Sequence, residues 1–183
     1  MAIGHQKQID YLYHRTKDRS AVGAYIFSGP AQIGKKTIAL EWLSHLFSQN
    51  LRQDSAHIDF SFVEPLTDPK TGCKNKEIEI AQIKALIEKL QLKPAIMPFK
   101  AAIIDQAHLL NAESQNALLK TLEEPPGQAI IILIADNVLR LLPTIVSRCE
   151  VIKFHFVSRK QMVELADTNK LAAGQEREMM LNL

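Results

Sequence analysis

The chain has 183 residues, 46% of them hydrophobic and 23% charged, a composition that suits one folded domain plus the start of another and excludes a disordered or fibrous protein. Lys plus Arg number 22 against 20 Asp plus Glu, a formal charge of +2, so bulk charge cannot hold nucleic acid or anionic lipid and any DNA contact must be local or shared. No apolar run approaches the ~20 residues of a membrane helix and the first twenty residues carry no signal-peptide core, so a cytoplasmic protein without membrane contact is expected.

Ile9, Leu12 and Tyr13 recur at helical spacing and predict an opening helix that ends near residues 16–20. Residues 24–27 read as a buried strand, and 28–37 as a glycine-rich loop leading into a helix through Ile38, Trp42, Leu43 and Phe47. A second strand is expected over 57–63, then a turn-rich stretch to 75, then an amphipathic helix through Ile80, Ile83, Leu86 and Leu90 that Pro94 closes. Residues 101–105 form a short apolar strand ending in Asp105, and 113–123 a helix stopped by Pro125 and Pro126. The run 129–135 is too apolar for an edge and belongs in the middle of a parallel sheet. A short helix over 139–146, interrupted or started by Pro143, and a last strand over 151–154 follow. Beyond Ser158 strands cease, and Met162, Leu165 and 176–183 read as helical. This alternation predicts an α/β fold with helices on both faces of the sheet.

Gly29, Gly34 and Lys35 supply G-x-x-x-x-G-K between a strand and a helix, a pattern in which backbone N–H groups, the helix N-terminus and the lysine converge on phosphate. The next position should carry a hydroxyl for Mg²⁺ but is Lys36, and Thr37 lies about 100° further round the helix. Lys35 and Lys36 could hold an anion without magnesium, or Lys36 could fill the metal position itself. Asp105 matches the acid that holds the metal at the sheet's edge, the alternative being a helix cap, and Gln106 follows where hydrolytic proteins of this class carry Glu. An amide orients water but cannot take its proton.

Residues 29–37, 103–107, 116–126 and 141–149 together resemble, in order and spacing, the AAA+ module of bacterial DNA polymerase III clamp-loader subunits. The likeness covers about residues 3–165 and is nearest the delta-prime type, with gamma/tau second. It implies a P-loop fold with a central parallel five-stranded sheet over 1–157 and the beginning of a helical lid over 158–183, the rest of the lid and a collar domain lying outside this chain. It implies a hetero-pentameric ring with gamma/tau and delta subunits, serving a sliding clamp and primer-template DNA. By resemblance the adenine of ATP or ADP would lie against Ile3 and Gly4, and Arg148 in Ser-Arg-Cys would reach into the neighbouring subunit's pocket; a local salt bridge is its alternative. The family's polar residue at the end of the fourth strand falls on Ala135. Lys36, Gln106 and Ala135 thus imply weak or absent magnesium and no hydrolysis, with gamma/tau-type ATPase as the alternative. Of the family's zinc module only Cys73 remains, Cys149 belonging to the arginine motif, so no zinc is expected. The spacing of Lys84, Lys89, Lys93 and Lys100 suits a solvated helix face better than a DNA stripe.

Overall fold

The computed structural model describes residues 5–17, 21–67 and 72–156. The elements run α1 (Gln6–Lys17), β1 (Gly23–Ser28), α2 (Lys35–Phe47), β2 (Phe60–Val63), α3 (Ile80–Gln91), β3 (Lys100–Ile104), α4 (Ala112–Glu123), β4 (Ala129–Ala135), α5 (Pro143–Val146) and β5 (Glu150–Lys153). Single 3₁₀ turns, Ala107–Leu109 and Val138–Arg140, lead into α4 and α5.

All five strands are parallel, in the order β2-β3-β4-β1-β5. Every residue of β4 is buried, as its unbroken apolar run requires of a strand covered on both faces. Alternation along the strands sends Ala24, Ile26, Ile131 and Leu133 to one face, under Ile83 and Leu86 of α3 and Leu118 and Leu122 of α4. The opposite face carries Tyr25, Phe27, Ile130 and Ile132, covered by Leu12 of α1 and by Ile38, Trp42, Leu43 and Phe47 of α2. The order reverses at β1, which opens a crevice at the carboxyl ends of β1, β3 and β4 where open α/β sheets take their ligands.

The second strand begins three residues later than its pattern suggests, at Phe60. The Asp59 backbone N–H donates to the His57 ring, and the Asp59 carboxylate accepts N–H bonds from Ala95, Ile96 and Met97 at 2.9, 2.7 and 2.9 Å. This side-chain knot holds 57–59 in a turn, and His57 packs edge-on against Phe47 rather than along a strand. Burial works against the Asp59 charge, but the three N–H donors and Lys100 outweigh it and bring the carboxyl down to about 2. Lys100 is 5% exposed, with its ammonium 3.4 Å from Asp59, and so is no part of a solvated lysine stripe. Pro143 starts α5 rather than interrupting a longer helix, because at N1 its missing N–H costs nothing. Ile3, Gly4 and the helical tail expected beyond 158 lie outside the described residues.

Candidate functional site

The loop between β1 and α2 crowds its neighbours. Gly29 has φ 153°, and a Cβ on it would sit 2.2 Å from the Phe154 carbonyl oxygen, so only glycine lets the chain pass. Phe154 N donates to Ser28 O at 2.7 Å, and Gly29 N donates to Ala135 O at 3.3 Å, seating the loop between the ends of β4 and β5. Gly34, at φ 95°, turns the chain into α2. His5 reaches the loop from the other side, with Nε2 2.9 Å from Ile33 O and its ring against Phe154.

A cavity of about 440 Å³ opens over this loop, lined by Gln32, Gly34, Lys35, Lys36, Thr37, Asp105, Gln106 and Asp136. The structure therefore brings together the sequence-derived residues Gly34, Lys35, Lys36, Thr37 and Asp105, with Gly29 beneath them. The Lys35 side chain is 3% exposed, and its ammonium donates to Gly29 O at 2.6 Å, to Pro30 O and to Asp136 Oδ1 at 2.9 Å. These contacts use all its protons. Lys36 Nζ stands 2.9 Å from Asp105 Oδ2, 3.1 Å from Gln53 Oε1 and 3.8 Å from Glu64 Oε2, above the Phe62 ring. Glu64 also pairs with Lys74 at 2.6 Å.

Asp105 accepts the N–H of Gln106 at 3.0 Å, and Gln106 itself takes a left-handed φ of 56°, so the carboxylate caps no helix in the usual way. Thr37 is exposed at the cavity's rim. Ala135, the last residue of β4, is fully buried and offers the site only a backbone carbonyl. Its successor Asp136 does present a carboxylate, which sequence reasoning missed; the available signal was its place directly after the central strand. The Asp136 N–H donates to His108 Nδ1 at 3.2 Å. Burial lowers the His108 pKa; Asp136 opposes this, while Arg140 and Lys35 add to it and Asp105 opposes. An accepting Nδ1 requires the Nε2–H tautomer of a neutral ring. Glu64, Gln53 and Phe62 were missed as well, because they approach Lys36 from around β2, far away in sequence.

Arg148 lies outside this cavity. Its Nε donates to Glu123 Oε2 at 3.2 Å and NH1 to Thr144 O at 3.0 Å, with the side chain 32% exposed. The local ion pair weighed as its alternative is thus present. Cys149 beside it is half-buried, and loss of solvent pushes its thiol up to about 12. Cys73 is exposed, and among the described residues no cluster of three or more His, Cys, Asp or Glu could hold a metal ion. No helix among them is long and apolar enough to cross a membrane.

The model of the family described as DNA polymerase III, delta subunit, matches residues 4–158. The chain belongs to this family. Among relatives, the DNA polymerase III subunit delta-prime of Pseudomonas aeruginosa is 32% identical over 140 residues, covering 69% of this chain and 41% of that protein. The subunit tau/gamma of Haemophilus influenzae is 33% identical over 172 residues, 84% of this chain and 23% of that protein. The matched part of this DNA polymerase III family member thus covers less than half the length of either relative. Among solved structures, a gamma subunit-related protein of Thermotoga maritima superposes with TM-score 0.63 at 24% identity, covering 84% of this chain and 47% of that one. RuvB of the same organism gives TM-score 0.61 at 15% identity, covering 88% and 49%, a likeness of fold alone. The parallel five-stranded sheet flanked by helices is thus an AAA+ type fold, carried here by a member of the DNA polymerase III delta-subunit family.

Proposed function

We propose that this family member is of the delta-prime type: it does not hydrolyse ATP, and it lends Arg148 to the nucleotide pocket of a neighbouring gamma/tau-type subunit. The ring, a hetero-pentamer with gamma/tau and delta subunits, would place a sliding clamp on primed DNA. The observation that carries this reading is the Lys36 ammonium 2.9 Å from Asp105.

Magnesium binds through oxygen ligands and dehydrates reluctantly. Here the position that should offer a hydroxyl offers a cation, and that cation already neutralises the acid which should face the metal. The residues present do not fit Mg²⁺. Gln106 lacks a basic group to take a proton from water, and Ala135 brings no side-chain dipole. ATP or ADP would need Lys35 to exchange its Asp136 carboxylate for a phosphate oxygen. Arg148 is the opposite kind of group, permanently charged, planar and at the surface.

A gamma/tau-type ATPase is the second reading, favoured by the tau/gamma relative that covers 84% of this chain. Turnover separates the two. The purified protein is expected to show no ATP hydrolysis above background, and Arg148→Ala is expected to cut the DNA-stimulated ATPase of the reconstituted complex. Steady turnover above ~1 per second by this protein alone, abolished by Lys35→Ala, would favour the ATPase reading instead. Full complex activity with Arg148→Ala would remove the trans arginine.

A further inference from the structure

The Leu-Glu-Glu-Pro-Pro segment at 122–126 has no part in the reading above, yet its first acid stands where helix physics disfavours one. Glu123 is the last residue of α4, whose terminal carbonyls already present partial negative charge. A basic residue would suit that position better. What relieves the acid is Arg148, whose Nε donates to Glu123 Oε2 at 3.2 Å. A second anchor comes from α5, where the Thr144 carbonyl accepts from NH1 at 3.0 Å and from the Ser147 hydroxyl at 3.1 Å. One guanidinium is thus gripped by the ends of two helices. Its NH2 group donates to no acceptor among the described residues, and a fork of five N–H donors retains ample capacity for a further oxyanion.

We propose that Glu123 is the positioning residue for Arg148: with the Thr144 carbonyl it fixes the plane of the guanidinium and leaves the NH2 edge for a phosphate oxygen of the neighbouring subunit's nucleotide. This rests on the trans role of Arg148 proposed above and names the residue that makes it effective. An unanchored arginine populates many rotamers and must surrender them on reaching phosphate; one held at Nε and NH1 has already done so. The pair is exposed, 32% at Arg148 and 57% at Glu123, so it adds little to folding stability and its contribution belongs to turnover. Pro125 and Pro126 end the helix just beyond, which holds Glu123 in register with the turn that carries Arg148.

The test is the DNA-stimulated ATPase of the complex reconstituted from the full-length protein and its cognate motor subunits. Glu123→Ala is expected to lower kcat about tenfold while KM for ATP stays within about twofold, the signature of lost positioning rather than lost binding. Glu123→Asp, which keeps a carboxylate, is expected to recover part of the rate. The double variant Glu123→Ala/Arg148→Ala is expected to be no slower than Arg148→Ala, because Glu123 acts only through the arginine. If Glu123→Ala fails to fold or assemble, Glu123→Met, similar in length but without an acceptor oxygen, carries the same expectation. Wild-type kcat in a folded Glu123 variant, or a double variant slower by the product of the single effects, would overturn the proposal. An Arg148→Ala complex with undiminished activity would fell the trans-arginine reading and this one together, whereas loss in Arg148→Ala with none in the Glu123 variants removes Glu123 alone.

Discussion

The phosphate-loop cavity and the Arg148 corner differ in how their cations are satisfied. In the cavity Lys35 meets Gly29 O, Pro30 O and Asp136, and Lys36 meets Asp105, Gln53 and Glu64, so both ammonium groups are matched by acceptors from the chain itself. At the corner, Glu123 and Thr144 hold one side of the Arg148 guanidinium and leave the rest of the fork to solvent. A cation neutralised from within makes a structural contact; a cation pinned yet uncommitted is ready for an outside partner. The same charge therefore serves the fold in one place and, under the proposal above, a neighbour in the other.

The sharpest way to break that contrast is at the loop's backbone. Gly29→Ala would drive a Cβ to within 2.2 Å of Phe154 O, and a loss of about 3 kcal/mol or failure to fold is expected in thermal or urea melts. Gly127→Ala is the control, a positive φ of 66° with nothing within 4 Å of the new Cβ, expected to cost only about 1 kcal/mol. Near-equal losses in the two would mean that the close approach to Phe154 does not fix the loop.

Away from both corners, Asp59 makes the fold sensitive to acid. Its carboxyl falls from 3.8 to about 2 on folding, so its stabilisation, about 2 kcal/mol, is fully present above pH ~4 and lost as pH falls toward 2. Asp59→Asn should remove that dependence, measured as stability against pH. His108 contributes in a second window: its folded pKa is lowered, the unfolded chain binds more protons, and stability rises with pH around the ordinary histidine value. A His108→Gln variant with the same slope there as wild type would exclude it.

Within the cavity, Lys36→Met takes the ammonium from Asp105 and Glu64 and leaves those carboxylates to a divalent ion. Titration with labelled ADP is expected to become at least ~10-fold dependent on Mg²⁺, about 1.4 kcal/mol, and wild type is expected to be indifferent to it. Magnesium dependence already present in wild type would count against Lys36 as its substitute. The smallest expected effect lies at the other corner, where Arg148→Ala should shift stability by under about 0.5 kcal/mol whatever it does to turnover, since its ion pair is exposed. A larger shift in the melting curve would make Arg148 a structural residue first.

The strand that reads most plainly, 129–135, is the one buried on both faces, so its identity follows from hydropathy alone. The turn between β1 and α2 was equally legible, because a bend that only glycine can make leaves its mark in the chain. The short edge strand was not, since 57–59 owes its turn to N–H groups of 95–97, some forty residues on. Lys100 misled for the same reason: its spacing suits a solvated face, but Asp59 holds it in the interior.

Local sequence settled where backbone must bend, which runs must be covered, and which residue types stand at the phosphate loop, because those choices depend on neighbours along the chain. The pairing of charges was decided by the fold. Asp136 reaches Lys35 because β4 lies beside β1, Asp105 and Glu64 reach Lys36 because β3 and β2 end on the same edge, and Glu123 reaches Arg148 because the ends of α4 and α5 meet. An ion pair needs its partners within a few ångströms, and only the folded sheet brings residues 25 to 101 positions apart to that distance.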